Sequence, residues 1–416
     1  MEDQFEKLVA ELKSPVHWRR NDAVTGLKKL GDPRAIEPLI EALADPEENI
    51  SAWAASCLGS FGDPAFLKLL AILHEEEDTS KRTQAVSALA SFEGRAFEPL
   101  LAILSDETED PNVKLVIMGF LEVLRDSRAI EPLALLLFED PSSDIRETAG
   151  LVLGNLACLY AIEKTRITQL LIKALADPAR EVRIVAIDYL GNLEAQEGFE
   201  PLLKLLADPD DKIRESAIDA LRKIGNREAI EFILGYLNDK SSDVRAISVW
   251  ALGELEAHQA VEKISGLLTD SDERVRFWAA WSLAMLGDER GFAPMLAGLS
   301  SPENWHRYRT AEALGKLGNR AALSALMQVE LNRPNIAREV IGAVVKIGTK
   351  EEAGNYLLGL LGHEISYFTI KAKVIKALGE IGFTRALPEL KNLVEEEDPI
   401  GQNAREAILK IEAARE

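Results

Sequence analysis

Apolar residues recur along this chain at helical spacing inside a longer repeat of 31 residues. Counted from an arginine, each repeat has a small residue at plus three, a leucine at plus seven and an apolar residue at plus ten. These offsets place the side chains on one stripe of an α-helix. The leucines at plus seven are Leu190, Leu221, Leu252, Leu283 and Leu314. We therefore predict one amphipathic helix, helix B, in the second half of each repeat.

A shorter apolar run precedes helix B, and a proline marks where it begins. The prolines are Pro38, Pro99, Pro132, Pro201, Pro294 and Pro388. A proline in a helix interior costs about 3 kcal/mol. It costs little in the first turn, where the N–H groups have no partner inside the helix. This run is predicted to be helix A, and each repeat is then a pair of helices.

The same spacing extends over the whole chain and gives about thirteen helix pairs. No alternating strand pattern interrupts them, so we predict an all-α protein. Copied units of this length are typical of a solenoid. We expect a single solenoid over residues 1–416. The clearest irregularity is an insertion at residues 158–168, a candidate bend or hinge that would divide 1–157 from 169–416.

Glycine recurs eight residues after the repeat arginine, inside helix B. These glycines are Gly59, Gly154, Gly191, Gly253, Gly315 and Gly379. A glycine inside a helix costs about 1 kcal/mol relative to alanine. Its recurrence predicts that a neighbouring helix approaches closely at this position.

The repeat arginines are accompanied by acidic residues in the turns between helices. We call the set the arginine ladder: Arg146, Arg183, Arg214, Arg245, Arg276 and Arg307, with Asp177, Asp208, Asp239 and Asp270. A catalytic or phosphate-binding arginine would occur once, whereas this one recurs. We predict a structural role in which each arginine pairs with the aspartate of its own or the next repeat. An exposed pair of this kind contributes roughly 0.2–1 kcal/mol.

Two segments carry a resemblance to a known family. Asp32–Pro46 and Asp243–Gly253 resemble HEAT repeats, specifically the subtype found in phycobilisome lyases. The resemblance implies an α-solenoid coiled as a right-handed superhelix, with the B helices on its concave surface. It implies no single activity, because this repeat occurs in scaffolds, lyases and hydroxylases.

The net charge of the chain limits the kinds of partner that it is expected to bind. The net charge is −21 and no cluster of Lys or Arg is present, which argues against binding nucleic acid or an anionic membrane. The N-terminal residues 1–7 contain no apolar signal region, and no segment is long enough to span a bilayer. We expect a cytoplasmic protein with a protein partner.

The sequence supplies no recognisable catalytic, cofactor-binding or metal-binding set. Deoxyhypusine hydroxylases resemble HEAT proteins and carry His-Glu dyads, but here His74-Glu75 and His363-Glu364 fall in repeats too far apart to converge on one metal. Two cysteines cannot ligate the iron–sulfur clusters of an epoxyqueuosine reductase. Bilin lyases and isomerases share this repeat subtype and stay open as an alternative. The enzyme question stays open too, although the missing motifs favour a protein without catalysis.

Aromatic residues give the binding hypothesis a location. Positions one, two, five and nine of helix B are expected to point away from the packed stripe. In three successive repeats they are occupied by Trp250, Phe277, Trp278, Trp281, Met285 and Tyr308. Such side chains are typical of protein-binding hot spots, although they could instead fill the space between neighbouring helices. The sequence favours a scaffold or adaptor, with a lyase-like or chaperone-like protein for a chromophore-bearing partner as the alternative.

Overall fold

The computed structural model describes residues 2–159, 163–362 and 368–414. These ranges contain 26 α-helices, several of them extended by short 3₁₀ turns, and no β-strand. The all-α prediction is confirmed. The chain forms two compact units, residues 1–202 and 203–416, which are described separately.

The first unit contains twelve complete helices within its described residues. In chain order they are α1 (Glu2–Glu11), α2 (His17–Leu30), α3 (Ile36–Glu41), α4 (Glu48–Gly59), α5 (Asp63–Glu75), α6 (Thr79–Leu89), α7 (Phe97–Leu104), α8 (Pro111–Leu124), α9 (Ile130–Glu139), α10 (Ser143–Leu159), α11 (Lys164–Ala174) and α12 (Arg180–Asn192). Helix α13 (Phe199–Leu205) crosses the boundary between the units.

The second unit contains the remaining helices. They are α14 (Asp211–Ile224), α15 (Ala229–Ile233), α16 (Ser242–Glu254), α17 (Val261–Gly266), α18 (Glu273–Met285), α19 (Phe292–Gly298), α20 (Asn304–Leu317), α21 (Leu323–Met327), α22 (Pro334–Ile347), α23 (Lys350–Leu361), α24 (Phe368–Glu380), α25 (Leu387–Asn392) and α26 (Ile400–Ala413).

The even-numbered helices are the B helices of the predicted pairs. In the first unit each B helix contacts the next one, from α2 to α12. In the second unit the even-numbered helices from α14 to α26 do the same. Most of the odd-numbered helices are shorter and contact the B helix of their own repeat, as α9 contacts α10 and α19 contacts α20. Each unit is therefore an α-solenoid, and the predicted helix pairs are confirmed.

The apolar stripe of helix B forms the core of each unit. The plus-seven leucines are completely buried, as Leu252 and Leu283 show at 0 % exposure. Helices also end where the sequence indicates. Gly31 and Gly225 adopt left-handed backbone angles, with φ of 63° and 75°, and cap α2 and α14.

Three of the plus-eight glycines, Gly253, Gly315 and Gly379, lie where the neighbouring B helix nearly touches. A Cβ atom on Gly253 would be 2.9 Å from the Cβ and 3.1 Å from the Cα of Ser282 on the next B helix. A Cβ on Gly379 would be 2.7 Å from the Cα of Ala407. Alanine does not fit at these distances, which explains why the helices accept the cost of glycine.

The candidate bend at residues 158–168 is only partly within the described structure. Helix α10 ends at Leu159 and α11 begins at Lys164, and residues 160–162 lie outside the described residues. The bend remains a prediction.

Candidate partner-binding surface

The arginine ladder connects successive repeats. Arg245 donates from Nε to Asp270 Oδ2 and from Nη2 to Asp270 Oδ1, both at 2.8 Å. Its Nη1 donates to the backbone carbonyl of Asp239, in the turn before its own helix, at 2.9 Å. Arg214 binds Asp239 in the same way, at 2.9 and 2.8 Å. Each guanidinium therefore links its own turn to the turn of the next repeat.

The first unit contains the same arrangement. Arg146 donates to both carboxylate oxygens of Asp177 at 2.8 and 2.9 Å. The Nη1 of Arg183 donates to the carbonyl of Asp177 at 3.0 Å. In this unit lysine takes the arginine position once, where Lys114 lies 3.0 Å from Asp140.

Each ladder aspartate also stabilises its own turn. Asp270 Oδ1 accepts a hydrogen bond from the backbone N–H of Asp272 at 2.9 Å, and Asp208 accepts one from Asp210 at 2.9 Å. The hydrogen bonds from Arg245 lower the pKa of the Asp270 carboxyl, against the opposing effect of its burial. The aspartate is thus ionised and has two structural tasks.

The pairing stops at the last two arginines of the ladder. The residues at the aspartate position of the following repeats are Ser301 and Asn332. Within the part of the chain that the structure describes, neither Arg276 nor Arg307 forms an ion pair. Arg307 Nη2 donates to Asn304 Oδ1 at 2.5 Å, and its Nε is buried without a hydrogen-bond partner.

Next to these two arginines, six rings from three successive B helices form a continuous aromatic cluster. Its members are Trp250, Phe277, Trp278, Trp281, Trp305 and His306. The centroids of Trp250 and Trp278 are 5.5 Å apart, and Trp278 stacks on Trp305 at 5.9 Å. Phe277 lies 4.4 Å from His306. Helices α16, α18 and α20 therefore present one connected aromatic surface.

Exposure differs strongly within the aromatic cluster. Trp305 is 36 % exposed, whereas Trp281 is completely buried. Trp250, Phe277 and Trp278 are half-buried. The expectation that Trp281 points outward is wrong. Helix α18 lies between α16 and α20, so its buried arc is wider than the three-position stripe that the sequence shows.

The two other predicted residues of this surface lie close by. Met285 and Tyr308 are half-buried and pack against the same hydrophobic core as the aromatic cluster. Trp305 and His306, which precede Tyr308 in α20, were not among the predicted binding residues, yet they join the rings of α18. The repeat pattern does not predict that Trp305 and His306 contact Phe277 and Trp278.

Two arginines flank the aromatic surface. The Arg222 guanidinium lies 4.1 Å from the ring centroid of Trp250, and that of Arg309 lies 5.5 Å from Tyr308. Asp219 holds Arg222 at 2.8 Å, and Glu312 holds Arg309 at 2.9 Å. Sequence reasoning missed both. Arg309 stands at plus two, an outward position by the same numbering, so the rule that selected Tyr308 could have found it.

The buried polar atoms of the cluster are not all satisfied. The indole nitrogens of Trp250 and Trp281 and the Nε2 of His306 have no hydrogen-bond partner. Burial lowers the pKa of His306, against the opposing effect of Glu273 and Glu303. His306 is therefore neutral near neutral pH.

The described residues contain no group of three or more His, Cys, Asp or Glu side chains that could hold a metal ion. His74 and Glu75 end helix α5, while His363 and Glu364 lie outside the described residues. In the same part of the chain no helix is both long and apolar enough to cross a membrane.

Stacked helix pairs, joined from turn to turn by arginine and aspartate, define a helical-repeat protein of the α-solenoid class. The family models specify it further. HEAT repeats match residues 5–90, 66–154, 168–247 and 231–305, and a PBS lyase HEAT-like repeat matches residues 307–331. These matches cover more than half of the chain, which therefore belongs to the HEAT-repeat family.

Solved structures agree with this assignment at the level of the fold. The chain is similar to importin beta (TM-score 0.63, 12 % identity, covering 98 % of this chain and 72 % of that one) and to yeast importin-beta, Kap95p (0.59, 13 %, 99 % and 67 %). Phycocyanin lyase CpcE and CpcF from Nostoc sp. PCC7120 overlaps less (0.42, 19 %, 61 % and 94 %). Comparison with curated proteins gives no significant match.

Proposed function

We propose that this protein is a non-catalytic scaffold or adaptor that binds a partner protein through the aromatic cluster and its two flanking arginines. The observation that supports the proposal is the connected row of rings from three repeats, half-buried except for the exposed Trp305 and the buried Trp281. Tryptophan, tyrosine and arginine are enriched where a few residues carry most of the binding energy. The aromatic side chains among them bury a large area at a small cost in conformational entropy.

The geometry also suggests how binding would be divided among these residues. Trp281 is already buried and supports the surface from below. Trp305 and Trp278 offer ring faces that a partner could still cover, each contributing about 1–2 kcal/mol on burial. The partner segment would therefore place apolar side chains over α18 and α20.

The proposal includes the cytoplasm as the place of action and excludes nucleic acid and membranes as partners. A net charge of −21 repels phosphate backbones and anionic lipid. It favours encounter with partners whose overall charge is positive.

A paired comparison of variants tests the adaptor proposal. Tagged wild-type protein, Trp278→Ala/Trp305→Ala and Trp18→Ala are cross-linked in native cells, and the captured proteins are quantified by mass spectrometry. Trp18 is 53 % exposed in the first unit and serves as the matched control. We expect one specific partner to be lost from the double variant, retained by Trp18→Ala, and to bind the purified wild-type protein directly.

If the double variant keeps its helicity by circular dichroism and captures the same proteins as the wild type, the aromatic cluster is packing and not a binding surface.

A bilin lyase-like or chaperone-like activity is the second candidate. The observation that favours it is the match of a PBS lyase HEAT-like repeat to residues 307–331, which include Tyr308 and Arg309. Addition of a free bilin to the purified protein separates the two candidates. A lyase-like protein should change the visible absorbance of the bilin, and the change should be lost in Tyr308→Ala. The scaffold should leave the spectrum unchanged.

A further inference from the structure

A cavity occurs at the same place in three parts of the chain. It lies between the B helix of one repeat and helix A of the next repeat, together with the turn that follows that helix A. The first is lined by Arg20, Pro38, Asp45 and Pro46, the second by Lys114, Pro132, Asp140 and Pro141, and the third by Arg276, Pro294, Ser301 and Pro302. Their volumes are about 320, 310 and 480 Å³. The third cavity has the same origin as the others but is larger.

A carboxylate holds the cation in the first two cavities but not in the third. Arg20 donates to Asp45 from Nε at 2.6 Å and from Nη2 at 2.9 Å. In the third cavity Ser301 occupies the aspartate position. Across the described residues, no acidic side chain lies within ion-pair distance of Arg276.

Arg276 is nevertheless anchored in the same way as its paired counterparts. Its Nη1 donates to the backbone carbonyls of Asp270 at 2.7 Å and Ser271 at 2.9 Å, just as the Nη1 of Arg245 donates to Asp239. In Arg245 the remaining Nε and Nη2 hold a carboxylate. In Arg276 the same two donors have no carboxylate to bind.

Ser301 keeps the other task of the ladder aspartate. Its Oγ accepts a hydrogen bond from the backbone N–H of Glu303 at 3.2 Å, as Asp270 does from Asp272. The same oxygen lies 3.1 Å from Nδ1 of His306. The turn therefore forms without a carboxylate, and the loss is confined to the partner of Arg276.

We infer that this cavity binds a carboxylate of another polypeptide, an aspartate or glutamate side chain that takes the place of the missing ladder aspartate on Arg276. Two parallel N–H···O bonds from Nε and Nη2 match the planar carboxylate, as in the neighbouring repeats. Glu273 also lines the cavity, so a dianionic phosphate would meet more repulsion than a single carboxylate does.

The cavity adjoins the aromatic cluster, since Phe277 and His306 line it. An incoming chain could thus place an acidic residue on Arg276 and an apolar residue on the rings. The carboxylate chemistry of the cavity does not depend on the proposed adaptor function, and it is testable with a small probe.

The test uses acetate as the probe and the arginine side chain as the reporter. The full-length protein is labelled with ¹⁵N-arginine, and Arg276→Lys identifies the Nε–Hε signal of Arg276. Acetate replaces chloride at constant ionic strength. We expect a saturable shift of the Arg276 signal and none for Arg245, whose donors are occupied, with a weaker response to inorganic phosphate. If Arg276 does not respond, or responds only as much as Arg245, the inference is overturned.

Two substitutions of the turn residue make the test specific. Ser301→Asp supplies a carboxylate at the ladder position, so it should abolish the acetate response and raise the melting temperature. Ser301→Asn introduces a side chain of the same size as aspartate but without its charge. It can still accept the hydrogen bond of the turn, so this variant should keep the acetate response. An unchanged acetate response in Ser301→Asp would contradict the inference. Trp278→Ala/Trp305→Ala should leave the response intact, which separates this site from the aromatic cluster.

Discussion

Arg245 and Asp270 face each other across two repeats and share two parallel hydrogen bonds, each 2.8 Å long. Only 14 % of the arginine side chain and 8 % of the aspartate side chain are exposed. Charge-assisted bonds at such sites are shorter and stronger than neutral ones. The pair therefore does more than an ordinary surface ion pair, because it fixes the register between neighbouring turns.

Arg245→Gln should lower the free energy of unfolding by about 2 kcal/mol, since it leaves a largely buried carboxylate without its cation. Arg274→Gln is the matched control. Arg274 lies 2.7 Å from Asp243, but both side chains are about half exposed, so its loss should cost under about 1 kcal/mol. Urea unfolding followed by the fluorescence of the tryptophans in α16 and α18 measures both. Equal losses would show that burial adds nothing to the ladder.

The ladder also predicts loss of stability in acid. Hydrogen bonds from arginine lower the pKa of Asp45 and Asp270 below the unfolded value of about 3.9. Because the folded pKa is depressed, the contribution is fully present above about pH 4 and disappears as the pH falls through the lower folded value. Melting temperatures measured from pH 6 to pH 2.5 should fall most steeply below pH 4. Arg245→Gln should flatten this fall, and an unchanged slope would contradict the role of the pair.

Asn332→Asp should stabilise the second unit. The buried Nε of Arg307 has no partner, and residue 332 stands 25 positions later, as Asp270 does after Arg245. A carboxylate at that position should add about 1 kcal/mol by completing the pair. A double-mutant cycle with Arg307→Gln checks the cause, because the gain must vanish when the arginine is absent. A gain that persists without Arg307 would have another origin.

The sequence predicts the helix pairs well because their signals are local and repeated. The arginine, the plus-seven leucine and the mid-helix glycine each mark a position in a single repeat, and together they locate α16 and α20 correctly. Long-range information is needed for the rest. Trp281 stands at an outward position of α18, yet both neighbouring B helices bury it.

The arginine ladder also shows what a repeat pattern does not predict. The pattern is recognised from positions that carry the same residue in successive repeats, such as Asp239 and Asp270, and it gives no information on repeats in which that residue is replaced. Ser301 and Asn332 are ordinary polar residues in sequence, and their meaning comes from the arginines that they leave unpaired. Which atoms of Arg276 remain free follows only from the hydrogen bonds of its Nη1.

Gly253→Ala should destabilise the second unit, whereas Gly342→Ala should stabilise it. A Cβ at Gly253 would meet the Cα of Ser282 at 3.1 Å, so α16 and α18 would have to move apart, at a cost of about 1–3 kcal/mol. Gly342 lies in α22 with nothing within 4 Å of an added Cβ, so alanine there gains about 1 kcal/mol of helix propensity. Thermal unfolding of both variants gives the comparison. A stabilising Gly253→Ala would mean that close approach does not explain the recurrent glycine.

Trp281→Ala and Trp305→Ala should distinguish residues of the aromatic cluster that stabilise the fold from residues that bind the partner. Trp281 is completely buried, so its removal leaves a cavity and should cost about 3–5 kcal/mol. Trp305 is 36 % exposed, and its loss should cost under about 1.5 kcal/mol because much of the ring already contacts water. Urea unfolding measures the stabilities, and binding of the partner identified by cross-linking measures function. Trp305→Ala should weaken binding in a protein of nearly normal stability. If it instead destabilises the fold as much as Trp281→Ala does, Trp305 belongs to the core and the binding surface must lie elsewhere.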